Sequence, residues 1–107
     1  MKQIIATELA DLMGNSPTPT LVDVREEHEL IHGMIAGAIA IPMQEFGEQL
    51  HQLGEDHSQT IVLICRSGKR SEHVGEYLEK LGFTDVINLS GGMNGWATDV
   101  DTTMTVY

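Results

Sequence analysis

Apolar and polar residues fall in alternating blocks along this chain, and the blocks predict alternating strands and helices. Ile61-Val62-Leu63-Ile64 is an unbroken apolar run bounded by polar residues. Such a run suits a strand buried on both faces, as in a parallel sheet. Beyond Cys65 and a short polar stretch, Val74, Leu78 and Leu81 recur at i, i+4 and i+7. That spacing predicts a helix over 71–81, ended by Gly82. Further strands are expected at 3–5, 20–24, 38–41 and 85–89. Helices are expected at 8–13, with Thr7 as N-cap and Leu9, Leu12 and Met13 inward, and at 26–31, stopped by Gly33. Two more are expected at 44–53, with Phe46, Leu50 and Leu53 inward, and at 93–97, where Trp96 anchors the core. Turn residues mark 14–19, 33–37, 55–59 and 90–92 as connections. Residues 99–107 read as a polar tail, loosely docked through Met104, Val106 and Tyr107. The alternation argues for an α/β sandwich around a mostly parallel sheet of five strands.

Size and charge narrow the picture. A chain of 107 residues builds one core, so 1–107 is read as a single domain. Sixteen acidic residues against six basic ones give a net charge of −10, a field that repels nucleic acid and anionic membranes. The first residues contain no apolar run fit for a signal peptide or a membrane span, so a cytoplasmic setting is expected. One cysteine allows no internal disulfide and no resolving thiol.

Against this acidic background one short stretch stands out. Three of the six basic side chains, Arg66, Lys69 and Arg70, follow directly after Cys65. The cysteine is expected at the carboxyl end of a central strand, where open α/β sheets bind ligands. The amides of 66–71 would converge on one concavity, Gly68 would let the backbone bend, and a helix N-terminus would add its positive dipole end. A thiol in such a cradle loses its proton easily and needs no histidine base. A lone cysteine ending an apolar run is more often an inert core thiol; the adjoining glycine and cations argue against that here. Phosphoryl transfer and sulfur transfer both suit a thiolate in an anion cradle. Phosphatase loops resemble C-x5-R, whereas only four residues separate Cys65 from Arg70. The tighter ring matches one bound sulfur better than a tetrahedral phosphoryl group.

Two other features call for weighing. Asp23 lies near the end of an apolar strand, where a carboxylate needs a partner. Arg25, two residues on, is the expected one, in a structural ion pair. His28-Glu29-Leu30-Ile31-His32 matches H-E-x-x-H, a zinc-hydrolase pattern. Its extended form asks for a glycine and a histidine where this chain has Ile35 and Ala38, and the helix is barely two turns long. The pattern is therefore read as an exposed acidic helix carrying two histidines, with no metal and no cofactor.

Taken together the motifs resemble those of a single-domain rhodanese. Asp23-Val24-Arg25-Glu26 resembles D-V-R-E, and Gly33-Met34-Ile35-Ala36-Gly37-Ala38 resembles G-H-I-x-G-A, with Met34 in place of the histidine. Cys65-Arg66-Ser67-Gly68-Lys69-Arg70 resembles the C-R-S-G-x-R active-site loop, and residues 89–96 resemble L-x-G-G-x-x-x-W. The resemblance implies a rhodanese-like three-layer sandwich, with a five-stranded sheet and helices on both faces. It also implies a sulfurtransferase that carries a persulfide on Cys65, held by the amides of residues 66–70. Arg66 and Lys69 would attract an anionic donor such as thiosulfate, Arg70 would brace the loop, and Ser67 would bond the sulfur. The acceptor would be cyanide, or an external thiol or protein. Two alternatives remain open: a sulfur-carrier or sensor module with low turnover on small donors, and, more weakly, a small phosphatase or arsenate reductase.

Overall fold

The computed structural model describes residues 1–107. Its elements run β1 (Lys2–Ile4), α1 (Ala6–Met13), β2 (Thr20–Asp23), a 3₁₀ segment (Glu27–His32) and β3 (Ile39–Ala40). Two 3₁₀ segments follow (Met43–Glu45 and Leu50–Leu53), then β4 (Ile61–Ile64), α2 (Lys69–Lys80), β5 (Val86–Leu89) and α3 (Gly92–Asp99). The strands form one sheet in the order β1-β5-β4-β2-β3, and every pairing is parallel. β4, the unbroken apolar run, is the middle strand. Its four side chains are wholly buried, and burial of each contributes about 1.5–3 kcal/mol.

The two-residue side-chain period of the strands feeds two cores. Ile61, Leu63 and Cys65 point to the face covered by α2 and the 43–53 segment, where they meet Val74, Leu78, Phe46 and Leu53. Val62 and Ile64 point to the opposite face, where α1 and α3 supply Leu9, Met93 and Trp96. The architecture is a three-layer α/β sandwich, with Trp96 buried in its core.

Three expectations about local structure are corrected. α1 begins at Ala6, with Ile5 at the N-cap position. Thr7 lies inside the first turn, and the Glu8 carboxylate accepts the Ile5 amide at 2.9 Å instead. Residues 44–53 are two 3₁₀ segments separated by turns rather than one helix. Gly47 sits between them, and Phe46, Leu50 and Leu53 still reach the core. The segment Glu27–His32 is a 3₁₀ helix that is exposed only in part: Glu27, His28 and Ile31 face solvent, but Glu29 is 7% exposed. In a 3₁₀ helix residues four apart do not share a face, so the spacing of His28 and His32 loses its zinc-site meaning. No three His, Cys, Asp or Glu side chains converge where a metal ion could sit. The tail is tied in through Tyr107 and Met104, which packs against the α1–α3 core, while Val106 is 56% exposed.

Candidate active site

β4 ends at Ile64 and delivers Cys65 to the carboxyl edge of the sheet. The chain then turns back on itself over 66–68 and enters α2 at Lys69. Gly68 makes this possible, with φ of 101° and so little room that a Cβ there would overlap the Ser90 carbonyl. α3 holds the turn from behind. The Met93 amide donates to the Cys65 carbonyl at 2.8 Å, and the Asn94 amide to the Arg66 carbonyl at 3.1 Å.

The Cys65 residue is 1% exposed, yet its sulfur faces hydrogen-bonding groups. The Gly68 amide donates to Sγ at 3.1 Å, and Ser71 Oγ stands 3.3 Å away. Burial pushes the Cys65 thiol up; the Ser71 hydroxyl and the amides of Ser71, Gly68 and Ser67 outweigh it and hold the thiol below its ordinary range. Ser67 thus acts through its amide, while the side chain against the sulfur is that of Ser71.

The three cations of the loop part company. Arg70 turns to Glu29, donating to Oε1 at 2.6 Å and Oε2 at 2.9 Å. Arg66 and Lys69 are exposed and join no ion pair within 4.0 Å. The Arg66 guanidinium lies 4.7 Å from the centre of the Tyr107 ring, a cation–π contact.

Asp23 and Arg25 stand beside this loop, because β2 pairs with β4 and the Val24 amide donates to the Ile64 carbonyl. Both are buried. Arg25 Nη2 meets Asp23 Oδ2 at 2.8 Å, Nε reaches Oδ1 at 3.0 Å, and Nη2 also donates to the Gly33 carbonyl at 2.7 Å. Burial pushes the Arg25 guanidinium down, and its bonds to Asp23 and Tyr107 more than reverse this. Neither residue hydrogen-bonds the sulfur.

Four side chains to which the sequence reading gave no role at the site complete it. Glu29 anchors Arg70. Tyr107 donates its hydroxyl to Glu29 Oε2 at 2.7 Å and accepts from Arg25 Nη1 at 3.0 Å. Ser71 touches the sulfur, and Asn88 lies behind Ser71. One signal could have found Asn88: it is the polar residue inside the apolar run 86–89 of a central strand. Nothing local marks Tyr107 or the burial of Glu29.

The fold and site are those of an all-parallel α/β protein with a buried cysteine at the carboxyl edge of its middle strand, bounded by loop amides and a helix N-terminus. Comparison with known proteins gives the same class a name. Residues 5–99 match the family model for the rhodanese-like domain. YtwF of Bacillus subtilis is 38% identical over 96 residues, covering 90% of each chain. An Allochromatium vinosum protein named a sulfurtransferase is 32% identical over 97 residues, covering 91% of this chain and 89% of that one. The crystal structure of a rhodanese-like domain protein from Staphylococcus aureus superposes with a TM-score of 0.83 at 33% identity, over 100% of this chain and 99% of the other. The chain belongs to the rhodanese-like domain family. No helix in it is long and apolar enough to cross a membrane.

Proposed function

We propose that the protein is a sulfurtransferase that carries sulfane sulfur as a persulfide on Cys65. The observation that carries this reading is the buried Sγ with the Gly68 amide at 3.1 Å and Ser71 Oγ at 3.3 Å, an arrangement that favours negative charge on sulfur. Family membership and a relative named for sulfur transfer support the general activity.

The Cys65 thiolate attacks the outer sulfur of a donor such as thiosulfate. A Cys–S bond to that sulfur forms, the bond between the two sulfurs of the donor breaks, and sulfite leaves with the electron pair. The terminal sulfur of the persulfide carries the negative charge, and the amides of residues 66–70 face it. An external thiolate or cyanide then attacks the terminal sulfur, the persulfide bond breaks, and the Cys65 thiolate returns. With one cysteine in the chain, the acceptor comes from elsewhere. Arg66 and Lys69, unpaired and exposed, attract the anionic donor; Arg70, bound to Glu29, braces the loop.

Intact-protein mass spectrometry tests this. Thiosulfate adds the mass of one sulfur to the wild type, and a small thiol or cyanide removes it; Cys65→Ser does neither. A wild type that stays unmodified with thiosulfate and with polysulfide refutes the reading. An adduct with negligible steady-state turnover assigns the protein to sulfur carriage for a partner.

A further inference from the structure

The hydrogen-bond chain at Cys65 continues past Ser71. Ser71 Oγ stands 3.3 Å from Sγ and 2.5 Å from Oδ1 of Asn88. Ser71 and Asn88 are 0% and 1% exposed, so bulk water does not compete for these atoms. The orientation of the Asn88 amide is fixed by its other contacts. Its Nδ2 donates at 3.0 Å to the Gly68 carbonyl, which can only accept, and at 2.8 Å to Gln3 Oε1. Turned over, the amide would set oxygen against the Gly68 oxygen. Oδ1 therefore faces Ser71, and the hydroxyl is the only donor available between them.

A hydroxyl has one hydrogen. While it is given to Asn88, Ser71 Oγ can only accept from sulfur, a bond that a thiol makes and a thiolate cannot. When Cys65 ionises, its proton leaves to solvent and the Ser71 hydroxyl turns toward Sγ. Asn88 Oδ1 has no other partner, and it is left bare in the core at a cost comparable to a buried hydrogen bond. We propose that Asn88 is a positioning residue that, through Ser71, restrains ionisation of Cys65 and releases the hydroxyl only as negative charge arrives on the sulfur. The proposal rests on the reading of Cys65 as the sulfur-carrying nucleophile.

The elements packed around Cys65 carry the following charged and titratable groups. The loop and the first turn of α2 bring Arg66, Lys69 and Arg70, and the next residues of α2 bring Glu72 and His73. The end of β2 brings the Asp23–Arg25 pair, the 27–32 segment brings Glu29, and the tail brings Tyr107. None of them hydrogen-bonds Ser71 Oγ or Asn88 Oδ1. Substitution of Asn88 frees the hydroxyl without removing any of these charges; it also removes the Nδ2 bond to the Gly68 carbonyl, a loss that is the same with and without the Ser71 hydroxyl.

The test is a double-mutant cycle read by the pH profile of iodoacetamide alkylation of Cys65. Asn88→Leu, close in volume, should move the profile to lower pH and speed alkylation about three- to tenfold below the midpoint. In a Ser71→Ala background the same substitution should leave the profile where it was. An unchanged or upward-shifted profile, or an equal shift in both backgrounds, would overturn the proposal. If circular dichroism shows that the leucine variants do not fold, the wild type is titrated by NMR instead. The Asn88 side-chain ¹³Cγ shift should move with the same midpoint as Cys65 ¹³Cβ; an Asn88 signal flat through that midpoint overturns the proposal. Sulfur loading of the wild type, measured separately by mass, reports on the nucleophile reading and can fail while the alkylation cycle succeeds.

Discussion

Arg70 grips Glu29 through two hydrogen bonds, at 2.6 and 2.9 Å, joining residues 41 apart in the chain. The pair ties the first turn of α2, and with it the cysteine loop, to the segment that follows β2. Because one prong is not enough to fix a plane, the two-pronged geometry also orients the guanidinium. The loop is thus held by a side chain that leaves Arg66 and Lys69 free at its rim.

This pair makes a prediction about acid. The bond from Arg70 outweighs burial, which pushes the carboxyl up, and with Tyr107 and the Glu26 amide it lowers Glu29 from 4.5 to about 2. A carboxyl with a depressed folded value adds stability that is complete above its unfolded value. That stability is lost as pH falls from about 4.5 through about 2. Glu29→Gln should therefore lose about 2–3 kcal/mol at neutral pH, and the difference from wild type should shrink across that acid window. Urea unfolding at a series of pH values checks both statements. A constant difference down to the lowest pH would remove the ion pair from the account.

Arg66 and Lys69 make a prediction about substrate. An exposed cation about 4 Å from an anion contributes about 1 kcal/mol in water. Arg66→Ala and Lys69→Ala should each raise KM for thiosulfate about fivefold with little change in kcat, and added salt should narrow the gap to wild type. Steady-state kinetics at low and high ionic strength measures this. KM values that match the wild type at low salt would take both side chains out of donor binding.

The loop was legible in the sequence because its signals are local. An apolar run, a cysteine, a glycine and three cations lie within eleven consecutive positions, and the parallel sheet follows from the β4 run and its neighbours. The apolar spacing of Phe46, Leu50 and Leu53 promised a helix, but the same side chains reach the core from 3₁₀ turns on either side of Gly47, so periodicity alone could not choose. Glu29 looked like part of a solvated face because its partner Arg70 is distant in sequence. The role of the Tyr107 hydroxyl was equally opaque, since its two partners come from the bend after β2 and the 3₁₀ segment beyond it, about eighty positions away. Asp23 and Arg25 were readable as a pair because they are two positions apart, although β2 ends at Asp23 and Arg25 meets it from the bend that follows.

Gly92 and Gly95 make a matched pair within α3. Gly92 has φ of 57°, and a Cβ there would collide with the carbonyls of Cys65 and Arg66. Those carbonyls are the ones bonded by Met93 and Asn94, so relief of the clash must displace the cysteine loop. Gly92→Ala should cost more than about 2 kcal/mol and slow alkylation of Cys65 toward the rate of a free cysteine. A Cβ on Gly95 meets nothing within 4 Å, so Gly95→Ala should be neutral or stabilise the helix by up to about 1 kcal/mol. Thermal melts and alkylation rates of the two variants make the comparison; equal effects would show that the Gly92 conformation is not what holds the loop.

Tyr107 serves the buried network with its hydroxyl and the rim cation with its ring, and two substitutions separate these roles. The hydroxyl bridges Arg25 and Glu29, the ring stacks on His32 at 4.2 Å, and the Arg66 guanidinium lies above the ring. Asn94 fastens the backbone of Tyr107 at both its amide and its carbonyl, at 3.1 and 3.0 Å. Tyr107→Phe removes one donor and one acceptor from the network and should cost about 1–2 kcal/mol in urea unfolding. It keeps the ring, so KM for an anionic donor should not move. Tyr107→Ala removes the ring as well, and Arg66 loses a contact that contributes about 0.5–1 kcal/mol at an exposed site. Its KM should rise about two- to fivefold beyond the phenylalanine variant. If both variants raise KM alike, the hydroxyl network rather than the ring sets the position of Arg66. If neither does, Arg66 finds the donor without help from the tail.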